Sequence, residues 1–428
     1  MTNLAINGGK PEIKESLTKY RSMSKAEKDA VCKVIDSDCL SGFYGSWEEG
    51  FLGGPRIQEF EKEWSKKFGV KYTVSVNSNT SGLYCAMGAV GISPGDEVIV
   101  PCTTMSATSM APLIYGGIPV FADIEDETYC LDKKKVESLI TEKTKAIIAV
   151  NLFGHPAELK NLRRLADDNN IFLIEDNAQS PLAKESDCYT GTIGHIGVFS
   201  LNYHKHVHTG EGGMCVTNNE LLAKRLQMIR NHAEAIVGPA NVNDLNNMIG
   251  FNYRMTEMSA AVGLVQLENI EKHVSERKYF AEQLTSKTKD IDFLHTPKVR
   301  NGCNHVYYNW ALKYDSEKFG VSRDMFVKAL NHEGLPCSSG YVEPLYMLPT
   351  FQNRKAFGNS GYPFTLTNRK YYYNMCPIGQ KLFENEFIMF EMCAYKLSDN
   401  LIDKFGNIFH KIIDNKKDLI DFEKETSN

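Results

Sequence analysis

The segment FSLNYHKHVHTGEGGMCVTNN, residues 199–219, carries two strand-like runs on either side of a polar, glycine-rich loop. VFSLN (198–202) precedes the loop and GMCVT (213–217) follows it. Between them stand Lys205 and three histidines, His204, His206 and His208. Taken alone, the loop fits a metal site, a phosphate-binding turn or the attachment point of a covalent cofactor.

The same pattern of a short apolar run, a turn and a helical period repeats outward from this segment. Continuous Val/Ile runs with little polar alternation are typical of strands buried on both faces. Helical periods separate them, as at Ser81–Gly91 and Ala157–Asn170. We therefore expect an α/β protein with a mostly parallel, seven-stranded sheet. Its predicted strands are Tyr72–Val76, Glu97–Pro101, Pro119–Ile124, Ala146–Gly154, Ile171–Asp176, Val198–Asn202 and Gly213–Thr217.

After Tyr253 the pattern changes to one long helical stretch, Met255–Leu284, followed by mixed elements. A strand-like run (His305–Tyr314) and a helix-like run (Ser322–Gly334) indicate a smaller α+β domain at the C-terminal end. We predict three parts: an N-terminal arm and substrate-mouth segment (1–50), a large domain (51–270) and a small C-terminal domain (271–428).

Composition excludes several classes of protein. The 428 residues carry a net charge of -5, so the basic excess expected for a nucleic-acid or anionic-membrane surface is missing. No apolar run approaches the roughly 18 residues that span a bilayer, and the N-terminal residues lack a signal-peptide pattern. The 11 cysteines are scattered singly, as expected for reduced thiols. We expect a cytoplasmic protein.

Two polar segments follow predicted strands, where parallel sheets bind ligands. NSNTSG (77–82) opens a helical period, and its small polar residues suit either an anion or a simple helix cap. EDNAQS (175–180) places Asp176 at the end of a buried strand. A buried carboxylate needs a partner, which is either the protonated ring nitrogen of a heteroaromatic cofactor or local capping donors.

Lys205 and Asp176 together favour the covalent cofactor. Chemistry based on pyridoxal 5'-phosphate needs a lysine that forms a Schiff base and an aspartate on the ring nitrogen. Metal binding is disfavoured, because the alternate histidines would share a face only in an extended chain and no HxxxH, HExxH or cysteine ligand accompanies them. We expect no metal site there.

Ordered blocks along residues 4–290 resemble the DegT/DnrJ/EryC1/StrS family of sugar aminotransferases. The resemblance implies a fold-type-I transferase dependent on pyridoxal 5'-phosphate, acting as a homodimer whose active sites lie at the subunit interface. The blocks are LAINGGKP, PGDEVIVP, GGIPVFADI, TKAIIAVNLFGHPAEL, IEDNAQS, GTIGHIGVFS, TGEGGMCVTNN, RNHAE and GFNYRMTEMSAA.

The resemblance assigns roles residue by residue. Lys205 matches the Schiff-base lysine, Asp176 the partner of the ring nitrogen, and Gln179 the glutamine beside the phenolic oxygen. The family's phosphate-binding positions match Thr80, Ser81 and Ser200. The asparagine that the neighbouring subunit supplies matches Asn252. VPCTTM differs from the family by placing Met105 where an aromatic ring usually stacks on the cofactor, and a thioether can pack there.

The implied reaction moves an amino group from L-glutamate or L-glutamine to a nucleotide-linked keto-deoxysugar or a keto-cyclitol, in antibiotic or surface-polysaccharide biosynthesis. The segment GLPCSSGYVEPLY (334–346) resembles a segment of the family branch that aminates keto-cyclitols. The alternative is that this loop only packs over the active site. The extra segment Phe43–Gly54 is expected to shape the substrate mouth. One alternative is a dehydratase of the same family, which has histidine in place of the lysine; another is a transcriptional regulator, for which no helix-turn-helix or basic surface is found.

Overall fold

The computed structural model describes residues 3–426, so the first two and last two residues of the predicted parts lie outside it. Fourteen strands are formed within these described residues. They are β1 (Tyr72–Val76), β2 (Glu97–Pro101), β3 (Ile118–Ala122), β4 (Thr144–Val150), β5 (Phe172–Asp176), β6 (Lys184–Glu185), β7 (Cys188–Tyr189), β8 (Ile196–Ser200), β9 (Gly213–Thr217), β10 (Leu294–His295), β11 (Cys303–Asn304), β12 (Asn309–Tyr314), β13 (Cys337–Ser339) and β14 (Phe387–Glu391).

The helices surround these strands. They are α1 (Lys25–Asp36), α2 (Pro55–Phe68), α3 (Asn79–Ala89), α4 (Ala107–Leu113), α5 (Lys133–Leu139), α6 (Leu159–Asp168), α7 (Glu220–Arg230), α8 (Ala233–Ile236), α9 (Glu257–Glu268), α10 (Ile270–Thr288), α11 (Ser316–Phe319), α12 (Arg323–Glu333), α13 (Pro349–Gln352), α14 (Pro377–Lys381), α15 (Asp399–Asp414) and α16 (Lys416–Thr426). Single 3₁₀ turns cover Ala5–Asn7, Glu49–Leu52, Leu152–Gly154, Leu345–Met347 and Phe364–Leu366, and a π turn covers Leu382–Glu386.

Seven strands form the main sheet in the order β1-β9-β8-β5-β4-β2-β3. Strand β9 is antiparallel to both of its neighbours, and the other pairings are parallel. Strands β2, β3 and β9 are fully buried, which explains their continuous apolar sequences. The predicted α/β class and the mostly parallel, seven-stranded sheet are confirmed.

Side-chain caps fix where several helices begin. Ser78 precedes α3 and its hydroxyl accepts the N–H of Ser81 at 3.0 Å. The predicted long helix at Met255–Leu284 is in fact two helices, α9 and α10, joined at Asn269. Asn269 has a non-helical ψ of 4°, and its N–H bonds back to the Gln266 carbonyl. The apolar period continues across this residue, so the predicted helical stretch gives no sign of the break.

A second, antiparallel sheet forms in the C-terminal region in the order β10-β12-β14-β13. It packs with α12 and α15 around its own apolar cluster, which also takes in Leu4 and Ile13. Glu333 accepts the N–H of Ala5 at 2.8 Å, so the start of the chain is tied to this cluster. The domain limits at residues 50 and 270 stay a prediction.

No helix within residues 3–426 is both long enough and apolar enough to cross a membrane.

The part of the main sheet that bears on ligand binding is the edge at which its parallel strands end. The carboxyl ends of β1, β2, β4, β5 and β8 face the same side, because these strands run in one direction.

Candidate active site

A cavity of about 310 Å³ lies at the carboxyl edge of the main sheet. Most of its lining residues follow or end strands β1, β2, β4, β5 and β8, the position at which parallel sheets bind ligands. Six of the predicted residues line it: Thr80, Met105, Asp176, Gln179, Ser200 and Lys205. The other lining residues are Ser78, Asn79, Thr104, Ala107, Val150, Ala178, Asn202, His204, Glu211, Tyr308, Tyr341 and Val342.

Asp176 lies at the floor of the cavity, 3% exposed. Its Oδ2 accepts the hydroxyl of Thr108 at 2.8 Å, and its Oδ1 accepts the N–H of Ala178 at 3.2 Å. Burial raises the pKa of Asp176, against the hydrogen bonds and the nearby charge of Lys205, which lower it. The carboxylate thus has neutral donors around it and a face toward the cavity where a cation would stabilise its charge.

Lys205 reaches the cavity from the loop between β8 and β9. Its Nζ lies 3.4 Å from the Tyr308 hydroxyl and 4.4 Å from the centre of that ring. Burial lowers the pKa of Lys205 to about 8, and Asp176 opposes the shift. A lysine whose pKa approaches neutrality is a better nucleophile and proton carrier than an exposed one.

Gln179 and Met105 are held differently. The Gln179 carbonyl accepts the N–H of Phe153 at 2.7 Å, and its amide donates to the Tyr341 hydroxyl at 3.1 Å. Met105 is 61% exposed, so its thioether can move over a ligand in the cavity. One side chain is fixed by two hydrogen bonds, whereas the other stays free to pack.

The N-terminus of α3 lies at one side of the cavity. Ser78 and Thr80 line it there, and Ser200 approaches from the end of β8. The backbone N–H groups of a helix start favour a phosphate. Ser81 turns away: its hydroxyl donates to Asn77 Oδ1 at 2.6 Å and pairs with Ser78 Oγ at 2.8 Å. The backbone N–H of Ser81 is also taken, by Ser78 Oγ, so the predicted phosphate role of Ser81 requires one of these groups to leave its present partner.

The donor set fits pyridoxal 5'-phosphate. A buried carboxylate, a lysine with a lowered pKa and a helix N-terminus line one cavity, and these suit a ring nitrogen, an aldehyde carbon and a phosphate respectively. The three groups come from the ends of β5, β8 and β1.

The three histidines beside Lys205 point to different places. His204 lines the cavity. His206 is buried, and its Nε2–H donates to the Val306 carbonyl at 2.9 Å. His208 pairs with the Ser22 hydroxyl at 2.9 Å. His206 and His208 thus shape the loop, and only His204 is placed to touch a ligand.

Donor atoms of Cys102, Asp123 and Cys376 lie within 4.8 Å of one another at the ends of β2 and β3. Asp123 accepts the N–H groups of Ile378 at 2.9 Å and Gly379 at 3.0 Å. It therefore caps α14, which accounts for its burial without a metal ion.

Several residues of the site, namely Thr108 behind Asp176 and some that line the cavity, had no role assigned from the sequence. Thr108 lies inside α4, and Tyr308 was predicted only as part of a strand. Tyr341 and Val342 belong to GLPCSSGYVEPLY, whose likeness to a family block was the available clue. Contacts over such sequence separations depend on the fold.

Two predicted features lie away from this cavity. Asn252 is exposed and forms a β-bridge with Asn231. In the Phe43–Gly54 segment, the carbonyls of Tyr44 and Phe51 accept the side-chain amide of Asn231 at 2.8 and 3.3 Å. The structure brings these two features together but does not bring either to the cavity of the same chain.

Comparison with known proteins places this geometry in context. A family model described as the DegT/DnrJ/EryC1/StrS aminotransferase family matches residues 46–380. A GDP-perosamine synthase of Escherichia coli O157:H7 is 37% identical over 287 residues, 67% of this chain and 74% of that protein. An L-glutamine:2-deoxy-scyllo-inosose aminotransferase of Streptomyces kanamyceticus is 29% identical over 375 residues, 83% of this chain and 85% of that protein. The X-ray structure of an aminotransferase from Psychrobacter cryohalolentis superposes with a TM-score of 0.82 at 27% identity, covering 94% of this chain and 100% of that one.

Proposed function

The chain belongs to the DegT/DnrJ/EryC1/StrS aminotransferase family, and on that premise we propose that Lys205 and Asp176 carry out its amino transfer in the cavity at the sheet edge. The enzyme is a sugar aminotransferase that uses pyridoxal 5'-phosphate. The observation that carries the residue assignment is the placement of the Lys205 amine and the Asp176 carboxylate in one cavity with the N-terminus of α3.

Each residue has a defined task. Pyridoxal 5'-phosphate supplies an electron-withdrawing ring that makes the α-proton of a bound amino acid removable. Lys205 would hold the cofactor, and its Nζ, when free, would carry that proton to and from the substrate carbon. Asp176 keeps the ring nitrogen protonated, because its buried charge is stabilised by a cation.

The remaining cavity residues bind and orient. The start of α3 with Thr80 and Ser200 would hold the phosphate, and Ser81 would join them after its hydroxyl rotates away from Asn77. Gln179, fixed by Phe153 and Tyr341, lies beside the phenolic oxygen. Met105, which lines the cavity, would pack on one face of the ring.

Transamination is favoured over dehydration by the side chain that enters the cavity. A dehydratase of this kind would have histidine in place of the lysine, whereas here the Lys205 amine occupies the cavity. His206 is bonded to Val306 behind the loop and does not line the cavity. His204 lines it beside Lys205.

The acceptor is a nucleotide-linked keto-deoxysugar or a keto-cyclitol, and the donor is L-glutamate or L-glutamine. Relatives named for GDP-perosamine and for 2-deoxy-scyllo-inosose support these two acceptor classes. Antibiotic or surface-polysaccharide biosynthesis would use the product. We propose that the protein acts in the cytoplasm as a homodimer, in which Asn252 of one subunit completes the cavity of the other.

Replacing the lysine tests the assignment. Lys205→Ala should lose the visible absorbance of the attached cofactor and lower transamination by roughly 10²–10⁴-fold, since proton transfer through Nζ is removed. The measurement is conversion of a panel of keto-sugar nucleotides and keto-cyclitols with glutamate or glutamine as donor. Lys184→Ala is the matched control, because Lys184 packs on Tyr189 away from the cavity. Full activity of Lys205→Ala would exclude the proposed role.

A further inference from the structure

Tyr308 reaches the cavity from the C-terminal part of the chain, directly before β12. Its ring lies under the Lys205 amine, with Nζ 4.4 Å from the ring centre and 3.4 Å from the hydroxyl. A cation at this distance is attracted by the negative face of an aromatic ring. The hydroxyl can accept one N–H of the ammonium at the same time.

Two backbone hydrogen bonds, one at Tyr308 itself and one at Val306, fix the backbone that carries this ring. The N–H of Tyr308 donates to the Phe153 carbonyl at 2.8 Å, and that of Val306 to the Gly154 carbonyl at 2.9 Å. The Val306 carbonyl in turn accepts His206 from the lysine loop. The ring and the lysine loop are therefore joined through one short stretch of chain, so their relative position is set by the fold.

We propose that Tyr308 is a positioning residue that holds the free amino group of Lys205 over its ring, inside the cavity and in the charged form, whenever the lysine is not covalently attached. This inference rests on the proposed function of Lys205. It gives the displaced lysine a defined resting place beside Asp176 instead of a path to solvent.

Other titratable groups also affect the pKa of Lys205, and a test has to separate their effect from that of Tyr308. Burial lowers the pKa of Lys205, whereas Asp176, Glu391 and Cys393 raise it. His204, on the same loop, lines the cavity as well. Burial raises the pKa of the Tyr308 phenol, so the ring stays neutral and acts through its face and its hydroxyl.

The test uses cofactor-free protein, so that the lysine is free. Pulses of acetic anhydride at different pH values, followed by mass spectrometry, give the pH midpoint for acetylation of Lys205. We expect the wild-type midpoint near the pKa of about 8. In Tyr308→Leu, which keeps the site apolar but removes the ring, the midpoint should fall by roughly half a unit to one unit, which raises the fraction of reactive free amine at pH 7 roughly 3- to 5-fold. Tyr308→Phe should retain most of the wild-type midpoint.

Controls separate position from stability. Tyr203→Leu removes a ring that packs on His204 outside the cavity and should leave the midpoint unchanged. An unchanged midpoint in Tyr308→Leu would overturn the proposal, and a raised one would show that the ring only excludes water. A fall in Tyr308→Phe as large as in Tyr308→Leu would assign the effect to the hydroxyl alone and also overturn it.

Tyr308→Met replaces the leucine variant, with the same expectation, if the latter does not fold by circular dichroism. Failure of the proposed function would appear separately, as absent transamination by loaded wild-type enzyme, and would leave the acetylation midpoint as it is.

Discussion

At the scale of single residues, the lysine loop shows why adjacent histidines behave differently. Side chains at alternate positions leave the loop in different directions, so His204 faces the cavity while His206 is fully enclosed. The Nε2–H of His206 is satisfied by Val306, and its Nδ1 has no hydrogen-bond partner among residues 3–426. A second proton on this ring would be buried without a counter-charge.

His206 should therefore make the protein sensitive to acid. Burial lowers the pKa of His206 to about 3, below its ordinary value of 6.5. The unfolded chain takes up this proton near pH 6.5 and the folded protein does not, so stability is full above that pH and is lost as pH falls toward 3. His206→Gln cannot titrate, so its melting temperature in cofactor-free protein should fall less than that of wild type between pH 7.5 and 5.

The control for this measurement is the exposed residue His410. His410→Gln should retain the acid sensitivity of the wild type. Equal losses of melting temperature in the wild type and in His206→Gln would contradict the assignment.

At the scale of elements, the sequence predicted what depends on local pattern. Three predicted strands, β1, β2 and β9, match the structure residue for residue, because each is a short apolar run bounded by polar or glycine turns. The break at Asn269 was missed because it interrupts the backbone without interrupting the apolar period. Periodicity reports the buried face of a helix and not its continuity.

The same distinction separates the residues of the site that were predicted from those that were not. Asp176, Gln179 and Lys205 follow strands of the main sheet, and sequence blocks identify them. Thr108 and Tyr308 contribute through contacts with Asp176 and Lys205 that cross 68 and 103 positions of the chain. No local pattern encodes such contacts.

Gly154 ends the 3₁₀ turn that supports both Gln179 and Tyr308. Its φ is +104°, and a Cβ there would lie 2.6 Å from the Tyr307 nitrogen and 2.8 Å from the Tyr308 nitrogen. Gly154→Ala should lower the free energy of unfolding by on the order of 2 kcal/mol and displace the Tyr308 loop. Denaturant titration measures the first effect, and weaker cofactor binding should accompany it.

Gly238→Ala is the matched control, because a Cβ at Gly238 meets no atom within 4 Å. It should leave both the free energy of unfolding and cofactor affinity near the wild-type values. A Gly154→Ala protein as stable as this control would show that the turn adjusts without cost.

At the scale of the whole molecule, chain segments distant in sequence meet around each core. Ala5 joins the C-terminal cluster through Glu333, whose second oxygen accepts Lys411 at 2.7 Å. Residues 306–308 lead into β12 of the C-terminal sheet, and their backbone bonds to Phe153 and Gly154 beside the cavity of the main sheet. Asn252, by contrast, does not line the cavity of its own chain.

If Asn252 serves the partner's cavity, two inactive variants should complement each other. Lys205→Ala disables the cavity of its own chain, and Asn252→Leu disables that of its partner. A mixed dimer then has one cavity with both defects and one with neither. Random reassociation of equal amounts makes half the dimers mixed, so activity should recover to about a quarter of the wild-type value.

The measurement is transamination after the two proteins are denatured together and refolded, with each variant refolded alone as the control. Recovery would establish both the dimer and the exchange of Asn252, because two cavities built from single chains have no intact combination of these residues. If activity does not recover although light scattering confirms a dimeric mass, Asn252 acts in the cavity of its own chain. That outcome would require Asn252 to approach the cavity by a rearrangement of the Asn231 bridge.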